Sequence, residues 1–271
     1  MAPVFRVGST AWRGGTVAGG SRAVPEETPI AMVYDGGAHA VMMATPQDLE
    51  DFAVGFSLSE GIVAEAAVIR GIDVVEAAEG IELRMWLAAG NGAALAERRR
   101  RIAGPTGCGL CGVDSLAEAV RPVAGVGEGI RLSPAEIMAA MEALPPLQVL
   151  NRETHAVHAA AFWQRGQGIV LLREDVGRHN ALDKLVGALA RGGIDGASGV
   201  LLLTSRVSVE MIQKAATAGI ATLVAVSAPT SLAIRTAEAA GITLVAIARR
   251  DGFEVFTRPD RIVMEAAADV A

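Results

Sequence analysis

Cys108 and Cys111 are the only cysteines in a chain of 271 residues. They form one Cys-x-x-Cys within Gly104-Pro105-Thr106-Gly107-Cys108-Gly109-Leu110-Cys111-Gly112. A single pair excludes a scaffold held by several disulfides and leaves redox, metal and sulfur chemistry open. A thiol–disulfide motif belongs at a helix N-terminus, which lowers one thiol pKa. Here the pair is embedded in glycine, a poor frame for a fixed dithiol. As half of a metal site it needs two more ligands. His155 and His158 are candidates, but His-x-x-His is tighter than the usual zinc spacing. A sulfur carrier needs an exposed thiolate on a segment that can swing between donor and acceptor, and Gly104, Gly107, Gly109 and Gly112 supply that freedom. The run Arg98–Arg101 would favour the thiolate and attract an acidic partner.

A second group of polar residues follows apolar runs of strand length in the C-terminal half. Arg173-Glu174-Asp175-Val176-Gly177-Arg178-His179-Asn180 follows Ile169–Leu172. Thr204-Ser205-Arg206-Val207-Ser208 follows Val200–Leu203, and Ser227-Ala228-Pro229-Thr230-Ser231 follows Ile220–Val226. Arg249-Arg250-Asp251-Gly252 follows Ile242–Ala248. Open α/β sheets bind ligands beyond the carboxyl ends of their strands, where helix N-termini point. Three arginine-bearing turns and two Ser/Thr turns on one edge suit an anion such as a nucleotide or pyrophosphate. Of the four histidines, His179 at a helix start on this edge is the functional candidate. His39 reads as a structural strand residue, and His158 as a packing residue before an apolar helix.

The elements that must position these groups follow from pattern. Pro29–Tyr34 and His39–Met43 read as strands joined by Asp35-Gly36-Gly37. Thr45-Pro46-Gln47-Asp48 reads as a helix start with Thr45 as cap and Pro46 at the first turn, the helix running to near Gly61. Strands are expected around Ile72–Glu76 and Ile81–Leu87. Gly125–Gly129 reads as flexible, and Ser133-Pro134-Ala135-Glu136 as a capping box whose helix ends before Pro145. Helices over Arg178–Arg191, Val209–Ala218 and Ser231–Ala240 alternate with the apolar strands, and Phe253–Thr257 adds a last strand. That alternation predicts a mostly parallel sheet covered on both faces. Three parts are expected: a flexible N-terminal arm over residues 1–25, an α+β subdomain over 26–130 that carries the cysteines, and an α/β domain over 131–271.

Composition sets the frame. Hydrophobic residues make up 51% and charged residues 20%, which excludes global disorder. Net charge is −6, which argues against nucleic-acid binding through a basic surface. Mean hydropathy is +0.38, yet no apolar run reaches the length of a membrane-spanning helix. The N-terminus lacks the apolar core of a secretory signal. The expected location is the cytoplasm, where paired thiols stay reduced.

Several segments together are similar to the FdhD family, accessory sulfurtransferases of formate dehydrogenase. They are TPQDLEDFAVGFSLSEGIV (45–63), TGCGLCG (106–112), EDVGRHNALDKLVG (174–187), TSRVSVEMIQKAATAG (204–219), SAPTSLAI (227–234) and the ending Ile242–Thr257. The resemblance runs in order from about residue 26 to 265. It implies a cytidine deaminase-like, three-layer C-terminal domain with an N-terminal α+β part, assembled as a homodimer. It also implies a sulfur carrier acting between a cysteine desulfurase and the molybdenum cofactor in its bis-molybdopterin guanine dinucleotide form, before insertion into formate dehydrogenase. On that resemblance Cys108 bears the persulfide and Cys111 is the second thiol. Phe253, Glu254, Val255, Phe256, Thr257 and Arg258 correspond to the cofactor-binding stretch, which Arg178, His179 and Arg206 would assist. A GDP-like nucleotide is expected at the same site, and no resident metal. The chain departs from the pattern at Thr154-His155-Ala156, at Phe256 in place of tyrosine, and at Thr106-Gly107 before Cys108.

Two other readings stay open. A zinc-dependent nucleoside deaminase would need His-x-Glu or Cys-x-Glu before its Cys-x-x-Cys, an order this chain lacks. A zinc- or nucleotide-binding accessory module without sulfur transfer would need only the fold and the polar strand ends.

Overall fold

The computed structural model describes residues 1–88 and 123–264. Cys108, Cys111, their glycine-rich segment and Arg98–Arg101 lie outside the described residues. The chain divides into two compact units that interleave in sequence. The first comprises Met1–Arg121, Pro146–Ala160 and Leu172–Gly192, and the second Pro122–Pro145, Ala161–Leu171 and Gly193–Ala271. This division does not follow the single boundary at residue 130 expected from the sequence.

In the first unit, β1 (Val4–Arg13) and β2 (Thr16–Pro25) form an antiparallel hairpin in the segment expected as a flexible arm. Gly14 and Gly15, at φ 56° and 86°, make its two-residue turn, a geometry that glycine adopts without strain. A four-stranded sheet follows, in the order β4-β3-β6-β5. Its strands are β3 (Thr28–Tyr34), β4 (Gly37–Ala44), β5 (Ile69–Ala77) and β6 (Gly80–Leu87). Ile30, Met32, Tyr34, Leu83 and Met85 alternate onto one face and pack with Phe52 and Phe56 of α1 (Leu49–Ser59).

Helix α1 begins at Leu49, and its cap residue is Asp48, in the left-handed conformation. Thr45, expected as the cap, is drawn away by tertiary partners described below. Four further helices follow along the chain: α2 (Pro134–Glu142), α3 (Leu144–Leu147), α4 (Val149–Thr154) and the longer α5 (Arg178–Arg191). α1 and α5 pack with their backbones in contact. A Cβ built on Gly55 would lie 1.7 Å from the Asp183 carbonyl oxygen, and one on Gly187 1.9 Å from that of Asp51. Only glycine permits this approach.

The six-stranded sheet has the order β12-β11-β10-β9-β7-β8. Its strands are β7 (His158–Gln164), β8 (Gly168–Asp175), β9 (Val200–Leu203), β10 (Thr222–Ala225), β11 (Thr243–Arg249) and β12 (Gly252–Thr257). β9, β10 and β11 pair in parallel, as the alternating pattern predicts, and β12 closes the edge antiparallel to β11. Helices α6 (Val209–Thr217) and α7 (Ser231–Ala240) are the crossovers between them. His158 opens β7, so the helix expected after it is a strand. Ala159–Phe162 are buried there, and short apolar runs do not separate a buried strand from a buried helix. Ser133 caps α2 through the expected capping box with Glu136. The Gly125–Gly129 stretch lacks regular structure but is tethered. Arg261 donates to the carbonyl oxygens of Gly127 and Glu128, and the Val126 amide to Ala240.

Candidate functional site

The polar run after Leu172 resolves into two kinds of residue. Glu174 is buried, and its two carboxylate oxygens accept from the Leu150 and Asn151 amides, both at 2.8 Å. It satisfies the orphan N–H groups at the start of α4. Asp175 is fully buried and accepts four hydrogen bonds. Oδ1 takes the Gly177 amide at 2.7 Å and the Asn180 amide nitrogen at 3.0 Å. Oδ2 takes the Thr45 amide at 3.0 Å and the Lys184 ammonium at 2.6 Å. Lys184 also donates to the Thr45 carbonyl at 2.8 Å, and Thr45 Oγ1 accepts from the Val176 amide at 3.1 Å. Burial lowers the Lys184 pKa, and the carboxylate of Asp175 opposes that shift. This network explains why Thr45 does not cap α1, and it locks the turn that carries Arg178 and His179.

Arg173, one of the edge arginines expected to meet a ligand, is taken up by α1. Its Nε and Nη2 donate to Asp51 Oδ2 at 2.9 and 2.7 Å. Asp51 also accepts from Arg191, whose other terminal nitrogen meets Glu50. Arg178 and His179, also expected on this edge, lie half-buried at the start of α5. His158 belongs to the same neighbourhood. Its pKa is lowered first by burial and then by the positive charge of Arg178, with Asp175 opposing. A neutral imidazole at neutral pH is the result.

The second unit holds the carboxyl ends of β9, β10 and β11. The loops after β9 and β10 are zipped together. The Val207 amide donates to the Ala228 carbonyl and the Thr230 amide to the Val207 carbonyl, and Val207 bridges Pro229. Arg206 protrudes exposed from this zipper, and Thr230 caps α7 through the Ala233 amide. The helix starts of α6 and α7 therefore open from one rigid double loop, an arrangement suited to an anion.

Ile247, at the end of β11, has φ 53°. A β-branched residue in that region is a true outlier, and such strain costs on the order of 1–3 kcal/mol. It sits at an irregularity in the β11–β12 register, and its amide donates to the Ser227 carbonyl at 3.3 Å. Sequence reasoning missed Ile247 because it reads as one more apolar strand residue. Nothing short of the backbone angle marks it.

The expected cofactor stretch is strand β12, at the sheet edge. Phe253, Val255 and Phe256 are half-buried, and Glu254 is exposed. Thr257 is buried and committed internally: its hydroxyl donates to the Ile242 carbonyl and accepts from the Leu244 amide. Arg258, in the left-handed conformation, pairs with Asp260 and borders an open cleft of about 370 Å³. That cleft is also lined by Glu128, Gly129, Arg131 and Arg261. The structure thus places Arg206 and residues 253–258 in the second unit and Arg178 and His179 in the first.

The molecule is a mixed α/β protein whose parallel strands end in an anion-suited double loop. The chain belongs to the FdhD/NarQ family, whose model matches residues 25–263. It is 54% identical to the sulfur carrier protein FdhD of Agrobacterium fabrum strain C58, over 96% of each chain. It is 52% identical to the protein of the same name from Brucella abortus biovar 1, over 90% of this chain and 91% of that one. Among solved structures it resembles a putative formate dehydrogenase accessory protein from Desulfotalea psychrophila. The TM-score is 0.75 at 26% identity, covering 97% of this chain and 100% of that one.

Proposed function

We propose that this chain is a sulfur carrier in the service of formate dehydrogenase, acting as a sulfurtransferase. The observation that carries this reading is the 54% identity, over nearly the whole of both chains, to a relative named for sulfur carriage. The solved relative described as a formate dehydrogenase accessory protein supports the target.

In this reading the Cys108 thiolate attacks the outer sulfur of a persulfide on a cysteine desulfurase. The new S–S bond makes Cys108–S–SH, and the desulfurase thiolate leaves. Cys111 then attacks the inner sulfur of that persulfide. A Cys108–Cys111 disulfide forms as the outer sulfur departs as sulfide to the molybdenum of the bis-molybdopterin guanine dinucleotide substrate. A dithiol reductant restores both thiols.

The chain's own residues hold the substrate. Arg178 and Arg206 suit its phosphates, and His179 adds a donor. The edge strand Phe253–Arg258 offers unpaired backbone groups, and a GDP-like nucleotide would occupy the same place. The three parallel strands with their helical crossovers support a cytidine deaminase-like, three-layer reading of this part. The acceptor of the loaded substrate is formate dehydrogenase, the protein works in the cytoplasm, where its thiols stay reduced, and it is a homodimer.

The test is cyanolysable sulfur after incubation with a cysteine desulfurase and cysteine. Wild type loads sulfur and Cys108→Ala does not. Equal loading by Cys108→Ala overturns the carrier assignment. Stoichiometric zinc in the purified protein, with no sulfur loading, would instead favour a metal- or nucleotide-binding accessory module.

A further inference from the structure

We propose that the side chain of Ile247 is a specificity contact, packing against the base of the guanine nucleotide that the edge strand β12 receives. The inference rests on the nucleotide reading above, and its residues all lie in the second unit.

The pairing of β11 with β12 carries it. Leu244 faces Thr257 and Arg249 faces Gly252 in one register, while Val245 faces Val255 and Ala246 faces Glu254 in a register offset by one residue. Two bulges bound the offset. Phe256 is the extra residue on β12, and on β11 Ile247 and Ala248 stand against Phe253 alone. A slip of one residue carries side chains to the other face of a strand, so these bulges decide how Glu254 and Val255 are presented. Both belong to the stretch expected to hold the nucleotide.

Ile247 opens the β11 bulge at φ 53°. The left-handed position of a bulge is ordinarily filled by glycine, which has no Cβ to clash. A residue so strained persists only where its surroundings over-determine it. Those surroundings are the Ser227 carbonyl, which accepts from the Ile247 amide at 3.3 Å, the buried Ala246 and Ala248, and the fixed pairs on either side. None of them uses the Ile247 side chain, and glycine would make the same contacts without strain. The side chain is therefore what the strain serves, and it is only half-buried in the chain alone.

Its place indicates what it serves. Ile247 lies near the carboxyl end of β11, joined to the loop after β10 on one side and to β12 on the other. The zipped loops after β9 and β10 suit phosphates, and β12 is the strand expected to hold the nucleotide. A half-buried branched alkyl group between the two suits the flat face of a base. Bulges beside ligand sites re-aim a side chain in this way.

Calorimetry with GDP and with inorganic pyrophosphate, on the full chain and its variants, tests the contact. Ile247→Gly keeps the bulge and removes only the side chain. Its GDP affinity should fall about tenfold, the worth of a half-buried isoleucine. Its pyrophosphate affinity should stay within about twofold of wild type. Ile247→Val keeps most of the contact and should bind GDP within about threefold of wild type. Unchanged GDP affinity in Ile247→Gly overturns the contact. An equal loss for both ligands also overturns it, since that marks a displaced strand. If Ile247→Gly does not fold, Ile247→Asn gives the same comparison with the same two outcomes, because asparagine tolerates the left-handed region. A wild type that binds neither GDP nor pyrophosphate overturns the nucleotide reading itself, and this inference with it.

Discussion

The turn after β8 and the double loop after β9 and β10 look alike in sequence: both are short, polar runs with arginine at the end of an apolar strand. In the molecule they are opposites. Around Asp175 the side chains of Thr45, Asn180 and Lys184 are buried and paired, down to a lysine and an aspartate with no exposed surface. Around Arg206 the backbone is the rigid part, and the guanidinium projects into solvent. Polar residues at a strand end thus serve two purposes. Some hold a turn in place, and others stand exposed on a braced loop. Counting arginines on an edge does not separate them, as Arg173 shows.

Three experiments would break or sharpen that contrast. The largest effect is expected for Lys184→Met, which leaves Asp175 buried without its cation. Breaking a buried pair in this way costs about 3–5 kcal/mol, read from urea denaturation. Asp175→Asn/Lys184→Met should lose less than the sum of the two single variants, because each single change strands the other partner. A cost below 1 kcal/mol for Lys184→Met would mean that the network does not hold the turn.

Next comes Arg206→Ala. Its midpoint should stay within about 0.5 kcal/mol of wild type, since the side chain is exposed. GDP affinity, measured by calorimetry, should fall roughly tenfold through loss of a charged hydrogen bond. Loss of stability with unchanged affinity would place Arg206 with Asp175, among the groups that build the fold.

The smallest effect is expected at Glu136, a half-buried group whose partner Arg165 is exposed, in contrast to the buried pair. Its hydrogen bonds from Arg165 at 2.6 and 3.1 Å, and then the Ser133 amide, hold its pKa down at about 2, from 4.5. A folded-state pKa below the unfolded value gives stability that is present above about pH 4.5 and lost as pH falls through about 2. The exposed Arg165 side chain screens the pair, so Glu136→Gln should cost well under 1 kcal/mol at neutral pH. Acid unfolding of wild type should be steeper across that window than that of Glu136→Gln. Superimposable curves would show that the pair contributes nothing.

Much of this was legible in residue order. Ser231–Ala240 is the helix that its pattern predicts, and the alternation of β9, β10 and β11 with α6 and α7 follows from apolar runs separated by turn residues. The hairpin β1–β2 was not legible, because a ribbon of Gly, Ser and Ala has the composition of an unstructured arm. The β7 segment has the pattern of a helix as much as of a strand, because a buried Ala-rich run suits either element.

The sequence by itself determined the family and the parallel pairing of β9, β10 and β11, because these depend on local periodicity and on motifs carried in order. Only the tertiary structure decided which polar residues are free. It brought Thr45 to Asp175 across 130 positions and Asp51 to Arg173 across 122. A carboxylate or cation removed from water must find its partners, and those partners are set by the packing of α1 on α5 rather than by neighbours in the chain.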